Sequence, residues 1–306
     1  METILILIRQ IAQMFLLAGM GYLLFKGKRI TLEGSRALGN ILIYLALPAV
    51  IINGFLVERT PERLTGMVYS ALGAAVLLLL SILIARLLFR QDAIAAFAGA
   101  FSNPGFFGIP LIVASLDQGA VFYVACFIAF LNIGQWTYGV SILTGQPISQ
   151  GFQLKKLIRA PFIIAILIGL LLFFTQIKLP TVISGCLSTV AGINTPLSMF
   201  TVGVYLAQTD VLGMFRKKRI YQVACARLVL IPLLSLLLLS LLPETWHDMK
   251  LALLLATACP VGANVALYAQ LHGKDYPYSV ETVVLSYLFS LLTIPAIVWL
   301  SSLLWL

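Results

Sequence analysis

The sequence predicts an all-α integral membrane protein of ten transmembrane helices, built as two halves of five. Three observations carry this expectation. Of the 306 residues, 61% are hydrophobic and only 10% charged, with a mean hydropathy of +1.03, which lies outside the range of a water-soluble domain. Windows of about 20 apolar residues, enough to cross roughly 30 Å of hydrocarbon as a helix, recur along the whole chain. Prolines recur inside these windows about half a chain apart.

Taken in order, the first window, about 4–25, is followed rather than preceded by its basic residues Lys26, Lys28 and Arg29, the wrong order for a cleavable signal. The second, about 37–57, contains Pro48 within LALPAVIINGFL, and the third covers about 66–89. In the fourth, about 93–115, GAFSNPGFFGIPLIVAS places Asn103, Pro104 and Gly105 where they should break a helix. Asn132 and Gln135 are the polar residues of the fifth, about 119–143, and the sixth covers about 157–177. The seventh, about 181–208, carries Pro196 in INTPLSMFTVGVYL, and the eighth, about 220–242, carries Arg227. Pro260, Gly262 and Asn264 fall in TACPVGANVALYAQ of the ninth, about 249–271, and the tenth covers about 279–304. The linkers are short and leave no room for a soluble domain.

Pro48 pairs with Pro196 at an offset of 148 residues, and Pro104 with Pro260 at 156. Coincidence is one reading, since prolines are common in membrane helices. A duplication with loop-length drift is the other, and it divides the chain into residues 1–148 and 149–306. Five spans per copy would insert the second copy upside down, as in many secondary transporters. Asn103-Pro104 lies about 11 residues, hence roughly 16 Å, into its span, and Pro260 lies at about the same depth, so both breaks fall near the bilayer midplane. A single break could be a kink satisfied by neighbouring helices. Two at matched depth suit a cavity, because freed backbone groups cannot face lipid. The helix starts there would present partial positive charge to an anion.

Fourteen of the 20 basic residues lie in the odd-numbered linkers, five lie at the termini and even-numbered linkers, and Arg227 lies within a span. The positive-inside rule then puts both termini in the periplasm. The net charge of +9 is thereby topology, and no nucleic-acid partner is expected. Cys126, Cys186, Cys225 and Cys259 lie in apolar segments without a C-x-x-C pair, and His247 and His272 are far apart in sequence. Neither a metal site nor a cofactor is expected.

The stretches ALGNILIYLALPAVIING, SNPGFFGIPL, FLNIGQWTYGV, TPLSMFTVGVYLA, ARLVLIPLL and CPVGANVALYAQLHG together resemble the auxin efflux carrier family of bacterial permeases, over essentially the whole chain. The resemblance implies a ten-helix, five-plus-five inverted-repeat fold similar to bile-acid symporters, with helices four and nine crossing at the substrate site. It also implies a multi-pass protein of the bacterial inner membrane that carries small organic anions: malate, malonate, related carboxylates or auxin. The partners expected are that anion and the lipid bilayer, with a homodimer left open. Plant members carry a long loop between the halves, which Thr144 to Leu157 is too short to provide.

The residues expected at the substrate site are Asn103, Pro104, Gly105, Asn132, Arg227, Pro260, Gly262 and Asn264. The amides of Asn103 and Asn264 can donate to a carboxylate, or cap their own loosened helices. Asn132 and Gln135 read as support for the fourth helix. Arg227 has no Asp or Glu in its stretch, so its partner is a substrate carboxylate, backbone carbonyls, or the interface it snorkels toward. All eleven acidic residues fall at or beyond segment ends. That favours uniport over proton relay, while backbone and amide oxygens alone could still support a sodium- or proton-coupled symporter. An enzyme would need a His or carboxylate beside a nucleophile within a span, and the sequence offers none.

Overall fold

The computed structural model describes residues 2–148 and 158–305. Lys155 and Lys156 of the charge count, and the expected start of the sixth span at residue 157, lie outside them. In chain order the helices are α1 (Glu2–Lys26), α2 (Leu32–Phe55), α3 (Pro61–Leu88), α4 (Ala93–Ala100), α5 (Pro104–Ser115), α6 (Gln118–Thr144), α7 (Pro161–Thr175), α8 (Thr181–Gln208), α9 (Lys218–Leu239), α10 (His247–Ala258), α11 (Asn264–Leu271) and α12 (Tyr276–Leu304). Seven of them, α1, α2, α3, α6, α8, α9 and α12, are long and apolar enough to cross a membrane. The fourth and ninth windows are each split into two helices, and the sixth is the 15-residue α7. Among the described residues there is no β-strand, only an isolated antiparallel bridge between Ser102 and Val261.

Several helices begin earlier than hydropathy indicates, because capping side chains set their starts. Thr31 accepts from Gly34 N at 3.0 Å at the start of α2, and Thr60 accepts from Arg63 N at 3.2 Å ahead of Pro61. At the start of α12, Asp275 accepts from Tyr278 N at 2.9 Å. One consequence corrects the sequence reading. Glu281 lies inside α12 rather than at its end, is only 6% exposed, and accepts from Lys217 Nζ at 2.7 Å.

Four single π-turns interrupt the helices: Leu42–Ala46, Pro104–Gly108, Gln135–Gly139 and Ala226–Leu230. Beyond three of them, two residues on, stand Pro48, Pro110 and Pro232. A proline ring crowds the carbonyl four residues back, here that of Tyr44, Phe106 or Leu228, and a widened turn relieves the clash. Such turns concentrate at functional positions, and Gln135 and Arg227 each sit in one.

The helices pack in two sets. In the first, α1 lies along α8, and α2 lies against α7 and the first half of α8. A Cβ on Gly21 would fall inside the backbone of Phe200, and one on Gly203 against the carbonyl of Ala18. These glycines let α1 and α8 touch backbone to backbone, the contact on which helix association in lipid depends. In the second set, α3 packs on α4 and α6, α9 on α10 and α12, and α11 on α12. The sets meet where α1 touches α5 and α12 and where α2 touches α6, and the cavities described below lie between them.

Candidate functional site

The two breaks come together. Asp92 starts α4 by accepting from Ala95 N at 2.8 Å, and the chain leaves that helix at Phe101 in an extended conformation. The chain leaves α10 at Cys259, and the two stretches pass antiparallel where Ser102 bridges Val261. Asn103 N donates to Pro260 O at 3.0 Å, and Gly262 N donates to Phe101 O at 2.9 Å. Val261 N is taken by Ser286 Oγ at 3.0 Å. The backbone groups freed by the breaks thus satisfy one another. Gly262 serves close approach: a Cβ there would stand 2.9 Å from Ser102 O. Pro104 is the first residue of α5, where its missing N–H costs nothing.

The side chains of this junction interlock. Asn103 Oδ1 accepts from Phe106 N at 3.3 Å, capping α5, while its Nδ2 donates to the Tyr287 hydroxyl. Asn264 Nδ2 donates to Gln135 Oε1 at 2.8 Å, so Gln135 supports the ninth window rather than the fourth, and its own Nε2 is buried without a protein partner. Asn132 Nδ2 bonds back to Ile128 O at 2.8 Å in its own helix. From α8, Asn194 Nδ2 donates to Gly105 O at 3.2 Å and Ser198 Oγ to Phe106 O at 3.1 Å.

Two cavities open beside the junction. The larger, about 590 Å³, extends from Asn103, Asn264 and Tyr287 past Tyr205 and Gln270 to Arg36 and the helix ends at Leu32, Gln208 and Tyr276. A second, about 450 Å³, lies against Pro104, Gly105, Asn132, Gln135 and Gly262 and reaches Arg159. Asn40, Asn103, Phe106 and Asn264 line both. The mouths of both lie among the odd-numbered linkers, the basic end of the molecule. At the opposite end, a third cavity of about 570 Å³ lined by Asn53, Gln118 and Asn194 includes neither Asn103 nor Asn264.

Six of the eight expected site residues therefore line a cavity: Asn103, Pro104, Gly105, Asn132, Gly262 and Asn264. Pro260 and Arg227 do not. Arg227 is 1% exposed and sits behind the junction, donating from Nη1 to Gly99 O at 3.1 Å and Ala100 O at 3.3 Å, and from Nη2 to Thr257 O. Of its three expected partners, the backbone carbonyls are the ones it finds, and it does not snorkel. Sequence reasoning missed Arg36, Asn40, Arg159 and Tyr205. The two arginines had been read only as topology charges; their place directly beside helix ends was the available signal.

A family model described as "Membrane transport protein" matches residues 6–150 and 148–298 of the chain, nearly its whole length. The chain belongs to this family, that of the auxin efflux carriers. It is also 27% identical over 284 residues to a protein of Rhizobium meliloti (strain 1021) named "Putative malonate transporter", a match covering 86% of each. The protein is thus a multi-pass membrane transporter and not an enzyme, and the cavities meeting at the junction are the natural place to seek its substrate.

Proposed function

We propose that the protein is a secondary transporter of small organic anions, of the malonate and malate class or auxin-like acids, which binds them at the junction and works by alternating access. The observation that carries this is the charge of the cavities. Among the described residues, the one charged side chain lining the larger cavity is Arg36, and the one lining the smaller is Arg159. Polar donors and helix starts fill out a site that has no lining carboxylate to repel an anion. Gln135, whose Nε2 is buried without a protein partner, lines the smaller cavity. The relative's name points to a dicarboxylate, for which one arginine and a set of amide donors are suitable partners.

The proposal includes ten spans in two inverted halves, residues 1–148 and 149–306, with α4 and α5 together as the fourth span and α10 and α11 as the ninth. It is supported by the antiparallel meeting of the two breaks and by the family match dividing at residues 148–150. With both termini periplasmic in the bacterial inner membrane, the mouths of the two cavities beside the junction face the cytoplasm, which makes this an inward-open state. Motion of the second helix set against the first would close these mouths and open the third cavity.

Purified protein in detergent is expected to bind malonate or malate saturably, and proteoliposomes to take it up; replacing sodium and collapsing the proton gradient separates uniport from coupled symport. A bound ligand more than one helical turn from both breaks, or no binding by malonate, malate or an indole carboxylate, overturns the reading.

A further inference from the structure

We infer that Arg227 is a built-in counter-cation of the junction, a positioning residue that neutralises the negative ends of both half-helices and ties them into one moving unit. Gly99 and Ala100 are the last residues of α4, and Thr257 is the penultimate residue of α10. The last carbonyls of a helix have no partner within it, and each helix end carries about half a negative elementary charge. Two such ends converging add to roughly one, the charge that one guanidinium cancels. Arg227 supplies it: its two terminal nitrogens reach three of these carbonyls across two helices.

No carboxylate shares this task. The two ion pairs among the described residues, Lys217 with Glu281 and Arg219 with Asp92, do not involve Arg227. A buried arginine in a span is costly without compensation, and here the compensation is the pair of helix ends itself. The π-turn Ala226–Leu230 carries Arg227. The opposite, positive ends of the junction, at Pro104 and Asn264, face the cavities. One arginine behind the junction thus leaves the field in front of it favourable to an anion without touching the substrate. Transporters built on broken helices hold sodium at such helix ends; in this protein a side chain bonds the same carbonyls.

The inference rests on the anion-transport reading for its rate measurements but not for its stability measurement. Arg227→Ala is expected to lower the melting temperature, to cut turnover by roughly tenfold or more, the scale of leaving buried acceptors unpaired, and to raise the substrate KM, because the uncovered negative helix ends disfavour the anion. Guanidinium chloride at low millimolar concentration should raise both the melting temperature and the turnover of this variant and leave the wild type unchanged. Should Arg227→Ala not fold, Arg227→Lys keeps a cation in place. Because an ammonium loses its proton more readily than a guanidinium, turnover of Arg227→Lys should fall as pH rises while that of the wild type stays flat. Absence of guanidinium rescue in a folded Arg227→Ala, or a flat pH profile for Arg227→Lys, overturns the inference. If the wild type carries no carboxylate, the melting-temperature arm still decides it.

Discussion

At the first break a side chain closes the new helix start: Asn103 caps α5 through Phe106 N, and Pro104 behind it brings no N–H to satisfy. At the second, α11 starts with no side-chain cap, preceded by Ala263, and its first residue Asn264 turns its amide to Gln135 on α6. One break is thus finished internally while the other leaves its first backbone N–H groups without a capping side chain. The difference lies in what closes each start: a side chain at the first, and at the second backbone turn bonds, Val265 N on Gly262 O at 3.1 Å and Ala266 N on Ala263 O at 3.2 Å, which leaves the Asn264 side chain to face the cavities.

The comparison breaks most completely at the one position both strands share. Gly262→Val would drive a side chain into Ser102 O, 2.9 Å from an ideal Cβ, and Phe101 O, at 3.2 Å. Overpacking of this kind costs about 1–3 kcal/mol, and the antiparallel pairing is what relaxes. Transport is expected to be abolished, with protein still present in the membrane at reduced melting temperature. Wild-type uptake by Gly262→Val would mean that the close pairing of the breaks is dispensable.

Replacing the two asparagines sharpens the contrast. Asn264→Ala removes a side chain that lines both cavities and is expected to weaken anion binding by about 1–3 kcal/mol, the value of a charge-assisted hydrogen bond, with the stability loss of one hydrogen bond, that to Gln135 Oε1. Asn103→Ala also loses a helix cap, worth about 0.5–2 kcal/mol, so its melting temperature should fall more than that of Asn264→Ala. Calorimetry and thermal melts on both variants check this; equal stability losses would erase the distinction between a capped and an uncapped start.

This contrast also shows how much of the site the sequence could disclose. The breaks were readable because proline and glycine within an apolar run have few other uses, and their matched depth pointed to one shared location. Arg227 was readable as an anomaly, but not its role: carbonyl partners are supplied by backbone, which leaves no residue-type signature. The pairing of Asn264 with Gln135 was equally hidden, since it links α6 to α11 across 129 residues. Arg36 was counted as a linker charge and missed as a cavity residue, because α2 starts at Leu32, ahead of the apolar run, and carries Arg36 within its first turns.

At the cavity mouths the two arginines extend the comparison outward. Both are exposed, and exposed charge interactions are worth about 1 kcal/mol or less and are screened by salt. Arg36→Gln and Arg159→Gln are each expected to weaken substrate affinity a few-fold at low ionic strength, with the difference from wild type shrinking as salt is added. A salt-independent loss would instead place the arginine in direct contact with the ligand.

The smallest effect is expected at Pro104, the residue that made the first break legible. Viewed from the sequence, replacing it should let the fourth span run straight through. The structure argues otherwise. Pro104 is the first residue of α5, a position where any residue's N–H lacks an intrahelical partner. The break is held instead by Asn103 N on Pro260 O, Gly262 N on Phe101 O, and the Asn103 cap, none of which an alanine removes. What proline contributes is a preset backbone angle, worth about 0.4–1 kcal/mol through the unfolded chain. Pro104→Ala should therefore retain transport within a few-fold of wild type and melt slightly lower. Loss of transport as complete as that of Gly262→Val would show that the proline itself, rather than the pairing of the two strands, keeps the helix open.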